Sequence, residues 1–218
     1  MADYHIRLYQ DSDYDMVRDI FVCGITEPYP ASFRHTFSLP RVWILILAVF
    51  LLALITTGSP IVSFIAVIMV ILVLLLMNRA MFFFYARRCL ATDMLDIRKN
   101  YLQRDGCGFW VAESAGEIVG IVAAAPFPHG QNQVELKRLS VPKKHRGKGL
   151  GKALCKTVID FAQKYGYEAV VLESSIFRKD SIRLYKRLGF RITGTYHQNH
   201  FFLKFIDYLD IVFQYDLS

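Results

Sequence analysis

From Val42 to Asn78 the chain carries no charged residue. The run WILILAVFLLALITTGSPIVSFIAVIMVILVLLLM lies inside that window and has the composition of a membrane segment. As a single helix it would extend roughly 55 Å, against a hydrocarbon core of about 30 Å. Thr56-Thr57-Gly58-Ser59-Pro60 interrupts it, and Gly and Pro both favour a break there. The pattern predicts a helical hairpin with apolar segments at 42–55 and 61–77. Each is marginal as a full span, so a re-entrant hairpin and two short tilted helices both satisfy it. Two buried core helices are the competing expectation, which the absence of charge disfavours.

The apolar excess of the chain (54% hydrophobic residues, mean hydropathy +0.29) is concentrated in this run, and the rest has ordinary globular composition. Arg34, Arg41, Arg79, Arg87 and Arg88 flank it, so the positive-inside rule puts both outer ends on the cytosolic face. Met81 to Tyr85 (MFFFY) reads as an interfacial aromatic anchor. About 40 polar and mixed residues precede the run, so no cleavable signal peptide is expected. The expected organisation is 1–38 as the strand and helix that open a domain, 39–88 as the membrane-embedded insert, and 89–218 as the main part of the same domain. A strand and a helix cannot fold alone, so both parts must lie on one side of the bilayer.

The most informative stretch for chemistry runs from Val134 to Phe161: the strand VELKRLSV, the loop PKKHRGKGLG and the helix KALCKTVIDFA. Arg146, Gly149 and Gly151 fit the pattern [Q/R]-x-x-G-x-[G/A]. Glycines let the main chain turn tightly and bring bare N–H groups to phosphate oxygens. The following helix adds the positive end of its dipole. Eight Lys or Arg residues lie from Lys137 to Lys156, with no acid until Asp160. The sequence has neither a Walker loop nor the G-x-G-x-x-G spacing of a dinucleotide fold. A bare basic tract would explain the charge but not glycines at a strand-to-helix junction. The expected ligand is the diphosphate of an acyl-coenzyme A.

The net charge of +7 is compatible with nucleic acid, an anionic membrane or a phosphorylated co-substrate. Nucleic acid is disfavoured, because the chain has no basic arm or recognisable binding motif. Cys23, Cys89, Cys107 and Cys155 are scattered without C-x-x-C, which predicts free thiols and no metal.

The remaining elements follow from periodicity and breakers. Tyr4 to Tyr9 alternates as a strand; Asp11 or Ser12 caps a helix burying Val17, Ile20, Phe21 and Gly24. Thr92 or Asp93 caps a helix with Met94, Ile97 and Tyr101 on one side, ended by Gly106. Strands are predicted at 109–113 and 118–125, across Ala115-Gly116, then at 169–172, 190–196 and 208–215. A helix from Asp180 to Leu188 stops at Gly189.

This element order resembles the GNAT superfamily of acetyl-coenzyme A-dependent N-acetyltransferases. The hairpin between the first two helices is similar to that of the camello group, the N-acetyltransferase 8 family. The resemblance includes Thr92-Asp93-Met94, Phe109-Trp110-Val111-Ala112-Glu113-Ser114, and Leu184-Tyr185 with Gly189-Phe190, and spans essentially the whole chain. It implies a mixed, mostly antiparallel sheet flanked by helices, interrupted by the hairpin. It also implies direct acetyl transfer from acetyl-coenzyme A in a ternary complex, without a metal.

By that resemblance Tyr185 protonates the leaving thiolate and Glu135 is the base, directly or through water. Leu139, Ser140 and Val141 offer backbone groups to the pantetheine arm. Arg146, Gly147, Lys148, Gly149, Leu150, Gly151 and Lys152 form the diphosphate site. Glu173 is a candidate to orient the acceptor amine. Two positions depart from the family pattern: Arg178 and Ser181 stand where many relatives have Asn and Ala. The expected acceptor is a primary amine, first the α-amino group of a cysteine S-conjugate, giving mercapturates. The alternatives are protein or histone lysine, and a non-catalytic membrane-anchored acetyl-coenzyme A sensor or scaffold. The expected location, by resemblance, is the endoplasmic reticulum membrane; the residues leave the oligomeric state open.

Overall fold

The structure is a computed structural model that describes residues 4–217. Its centre is one sheet of seven strands in the order β1-β2-β3-β4-β5-β7-β6. β1 (His5–Leu8) pairs antiparallel with β2 (Gly108–Ser114), so the two sequence segments on either side of the apolar run do share a sheet. β2 and β3 (Glu117–Pro126) form a hairpin through Ala115 and Gly116, both at positive φ (52° and 81°), as a two-residue turn that follows strand twist requires. β4 (Gln133–Ser140) is antiparallel to β3 and parallel to β5 (Ala169–Ser175). β7 (Leu209–Asp216) lies between β5 and β6 (Arg191–His197).

Two clusters cover the sheet. On one face α5 (Leu150–Lys164) buries Leu154, Val158 and Ala162, one stripe at four-residue spacing, against Val134, Leu136, Val170 and Leu172; α6 (Lys179–Leu188) packs beside it. On the other, α1 (Tyr14–Thr26) buries Val17, Ile20 and Phe21 against Phe109, Val111 and Ile121. Removing side chains of this size from water contributes about 1.5–3 kcal/mol each. Gly24 completes that face as expected. A Cβ there would lie 2.2 Å from Ser140 Oγ, so only glycine lets α1 sit on the end of β4, where Ser140 Oγ donates to Ile20 O at 3.0 Å.

The hairpin consists of α3 (Pro40–Thr57) and α4 (Pro60–Ala91), reversed at Gly58 with φ 65°. Both are long and apolar enough to cross a membrane, and only 11% of each apolar window is buried in the molecule. The predicted segments fall inside them, but α4 does not stop at the aromatic cluster. Met81 to Tyr85 belongs to the same 32-residue helix, because after Pro60 no residue breaks it.

Three further expectations are corrected. A ten-residue helix, α2 (Tyr29–Ser38), begins beside Pro28 and Pro30 and ends where Leu39, preceding Pro40, turns extended. The helix expected from Thr92 is a series of turns with a π-helical turn at Arg98–Leu102, although Met94, Ile97 and Tyr101 are buried as anticipated. Neither Asp11 nor Ser12 caps α1. A 3-10 turn occupies Asp11–Asp13, and buried Asp13 instead accepts from Nη1 and Nη2 of Arg7, at 2.7 and 2.9 Å. A short α7 (Phe201–Phe205) in the β6–β7 connection packs Phe202 and Leu203 against Val42, Ile46 and Leu74 of the hairpin.

Candidate active site

The site begins where the sheet parts. β4 and β5 are paired only from Gln133↔Ala169 to Glu135↔Val171, yet β4 continues to Ser140 and β5 to Ser175. Their outer halves therefore diverge and open a cleft through the sheet. A bulge in β4 helps: two steps on β3 (Ile121 to Ala123) oppose three on β4 (Ser140 to Lys137). Arg138 takes the left-handed conformation there, at φ 56°. Its guanidinium donates to Asp93 at 2.8 and 2.6 Å and lies over the Phe21 ring. Burial is the largest single influence on Asp93 and raises its pKa, but the hydrogen bonds and charge of Arg138, with the Tyr101 hydrogen bond, together outweigh it and hold the carboxyl below its usual range.

Beyond β4, Lys143–His145 forms a 3-10 turn, and Gly147 and Gly149 follow at φ 80° and 82° before α5. An added Cβ at either glycine would meet nothing within 4 Å, so backbone conformation and not crowding selects glycine. Among the described residues the N–H groups of 147–152 have no hydrogen-bond partner. They form a run of free donors at the positive end of a 15-residue helix, which fits a diphosphate.

The free amides face a cavity of about 1400 Å³ lined by Leu139, Ser140, Val141, Arg146, Gly147, Gly149, Leu150, Gly151 and Lys152. Lys148, expected among the ligands, is exposed and outside that lining. Arg146 is committed elsewhere: it donates to Val141 O at 2.7 Å and forms a two-pronged pair with Glu27. Those hydrogen bonds hold Glu27 below its usual pKa. The far wall is α2, with Arg34 and His35, which no sequence signal suggested.

A second cavity of about 680 Å³ lies across the cleft and shares Gly24, Leu139, Ser140 and Arg178 with the first. Tyr185 and Glu135 both line it. Tyr185 is 5% exposed, its ring packed on Phe190 and Phe213, and burial pushes its hydroxyl well above the usual range. Glu135 lies 3.1 Å from Lys137 Nζ. Glu173 and Asp210 stand on the same wall, and burial raises the Asp210 pKa. The opposite wall is the end of α4, including Met77, Met81, Phe84, Tyr85 and Arg88. Arg178, where the family pattern has Asn, donates to Gly24 O at 2.8 Å and so bridges the cleft; Ser181 lies beside the Tyr185 hydroxyl.

Comparison with known proteins agrees with this geometry. The acetyltransferase (GNAT) family model matches residues 75–190. N-acetyltransferase 8F1 of Mus musculus is 45% identical over 92% of both chains. The chain belongs to the GNAT family, in its N-acetyltransferase 8 group. Within that group, N-acetyltransferase 8 of Rattus norvegicus is 42% identical over 89% of both chains. Among solved structures, a GNAT-family acetyltransferase of Staphylococcus aureus Mu50 shares the fold with TM-score 0.61 at 15% identity, covering 99% of this chain and 100% of its own. An N-acetyltransferase of the same organism gives 0.56 at 18% identity, with 99% of each chain covered. This N-acetyltransferase 8 relative is an N-acetyltransferase whose acetyl donor is acetyl-coenzyme A.

Three contributors to the site were not read as such from sequence: Glu27 and Asp210, which carried no motif, and Asp93, which belongs to a family motif but gave no sign of its pairing with Arg138. Each acts through a contact more than ten residues distant, and only the alternation of β7 hinted that Asp210 opposes Ile211 and Phe213.

Proposed function

We propose that this protein acetylates the primary amine of small amphiphilic amino acids at a membrane surface, cysteine S-conjugates being the class that fits best. The observation that carries this is the composition of the second cavity: one wall is carboxylate-bearing sheet, the other is the apolar end of α4. If 61–77 span the hydrocarbon, α4 leaves the bilayer at Met77 to Arg88, the residues that face the cavity. A lipophilic S-substituent meets Met77, Met81 and Phe84, and Arg88, without an ion-pair partner among the described residues, is available to the α-carboxylate. The bilayer concentrates such amphiphiles beside the opening.

The free amides of 147–152 hold the diphosphate, Leu139 to Val141 run beside the pantetheine arm, and Arg146 braces the loop. Glu135, directly or through water, takes a proton from the acceptor ammonium. The nitrogen lone pair then forms the C–N bond at the thioester carbon as the C–S bond breaks. The Tyr185 proton passes to sulfur, and the second proton lost by nitrogen restores the tyrosine hydroxyl. Arginines before α3 and at the end of α4 support a cytosolic catalytic face, and the endoplasmic reticulum follows from the family resemblance.

Acetyl transfer from labelled acetyl-coenzyme A to S-benzylcysteine, beside a lysine peptide, tests the acceptor. The conjugate is expected to give the higher kcat/KM. A lysine peptide turned over faster would move the assignment to protein lysine, and intact cofactor binding without transfer to either would indicate a sensor.

A further inference from the structure

Phe201, the first residue of α7 in the β6–β7 connection, is 85% exposed, more than any large apolar side chain of the hairpin. Helical spacing divides this short helix into two faces. Phe202 and Leu203, with Ile206 just beyond the helix, are buried against Val42 and Ile46 of α3 and Leu74 of α4. Phe201, Lys204 and Phe205 stand at i, i+3 and i+4 and form the other face, on which Phe201 and Lys204 are exposed. None of these three lines either cavity, so neither ligand accounts for them.

The depth of α7 follows from what it touches. Ile46 lies four residues inside the apolar segment that opens at Val42, and Leu74 lies three residues inside the one that ends at Met77. At a rise of 1.5 Å per residue, these contacts sit about 4–6 Å within the apolar layer. The edge of that layer is marked at the same level. Trp43 is 56% exposed and of the type that collects at a membrane interface. Arg41 lies over the Phe205 ring at 5.9 Å, with Nη2 3.9 Å from Asp207. Lipid that reaches the hairpin at this depth also reaches the outer face of α7.

We propose that α7 is an interfacial element whose outer face meets the lipid surface, Phe201 among the acyl chains and Lys204 extending its ammonium to the phosphates. Amphipathic segments seat about 5–10 Å into the boundary of headgroups and acyl chains, which overlaps the level given by Ile46 and Leu74. The protein then grips the bilayer at two places far apart in sequence. His200, Phe202 and Leu203 also line the acceptor cavity, so the lipid-facing surface is within one helix diameter of that site, about 10 Å. The inference rests on the membrane reading of the hairpin and adds a surface to it. A five-residue helix is too short to register as a membrane segment in sequence.

Nitroxide labelling of the full chain in phosphatidylcholine vesicles tests the seat. Cys23→Ser supplies the background, because the other three cysteines are buried. Labels go on Phe201→Cys, on Ile68→Cys midway along the apolar part of α4, and on Lys164→Cys at the exposed end of α5. Relaxation by oxygen, which partitions into acyl chains, is compared with relaxation by a water-soluble nickel complex. The oxygen-to-nickel ratio for Phe201→Cys is expected to be several-fold above that for Lys164→Cys and below that for Ile68→Cys. A ratio equal to that for Lys164→Cys overturns the interfacial seat and leaves the hairpin reading standing. Shielding from both reagents overturns it in favour of a second copy of the chain, or another protein, covering the face. Nickel access at Ile68→Cys as free as at Lys164→Cys would sink the hairpin reading and the seat together. Should Phe201→Cys lose coenzyme A binding through misfolding, Lys204→Cys on the same face is read by the same ratio.

Discussion

Arg146 grips Glu27 from across the cofactor cavity, Nη1 donating to Oε1 at 2.7 Å and Nη2 to Oε2, so the glycine loop is tied to the end of α1. On the diphosphate site proposed above, a guanidinium engaged in this way acts through the loop and not by direct contact. Arg146→Ala and Glu27→Gln should therefore raise the KM for acetyl-coenzyme A by similar factors, about tenfold each. That corresponds to about 1.4 kcal/mol, at the low end for hydrogen-bonded charges because both groups are partly exposed. The double variant should be no worse than either single one. A lower KM in Glu27→Gln would show instead that a freed Arg146 binds phosphate directly.

The same pair fixes a pH dependence. Glu27 is held below its ordinary pKa by Arg146, so its contribution is complete above the unfolded value of about 4.3 and is lost as pH falls through the lower folded one. Calorimetric affinity for coenzyme A should be flat from about pH 7 to pH 5.5 on this account. A loss of affinity inside that window would have to come from another group.

Gly149 and Gly147 lie at φ 82° and 80° with open space beside them. Alanine at either position costs backbone strain of about 1–2 kcal/mol without any clash. Gly149→Ala should raise the KM for acetyl-coenzyme A by about five- to thirty-fold, with kcat at saturation largely kept. A parallel fall in kcat would mean the loop also positions the thioester.

The shape of the glycine loop was legible because it demands a local pattern: left-handed turns ahead of a helix need glycine, and a strand and helix to hold them. The long apolar run was legible for the same reason, since absence of charge over 37 residues is visible without any partner. What escaped was set by distant contacts. Arg146 matched a motif, but its commitment to Glu27, 119 residues away in sequence, left no mark in either segment. Arg138 reads as one more basic residue until the β4 bulge turns it toward Asp93. α2 escaped because its two prolines suggest a break, whereas they lie at the start of a helix, where a missing N–H costs nothing.

Tyr185 is buried between Phe190 and Phe213, so phenylalanine preserves its packing. Burial keeps the hydroxyl protonated and ready to donate. Tyr185→Phe should lower kcat by roughly 10²-fold with the acetyl-coenzyme A KM unchanged. An unchanged kcat in this variant would reassign the tyrosine to the core.

Asn78 connects the apolar hairpin to the cofactor cavity. It is fully buried on α4, donates through Nδ2 to Leu74 O at 3.1 Å, and its Oδ1 accepts from Ser32 Oγ at 3.1 Å and Thr36 Oγ1 at 3.3 Å on α2. Among the described residues the Ser32 hydroxyl has no other partner, whereas Thr36 also donates to Ser32 O. Asn78→Leu keeps the volume but leaves the Ser32 hydroxyl buried and unpaired, a cost of about 1–3 kcal/mol. Because α2 also carries Arg34 and His35 on the cofactor wall, the loss should be read twice: as a lower melting temperature in detergent, and as a several-fold higher KM for acetyl-coenzyme A. Adding Ser32→Ala to Asn78→Leu removes the orphaned hydroxyl and should recover part of the melting temperature but not the KM, since the link between helices stays broken. Full recovery of both would reduce the clasp to a packing detail, and no change in KM would uncouple α2 from cofactor binding.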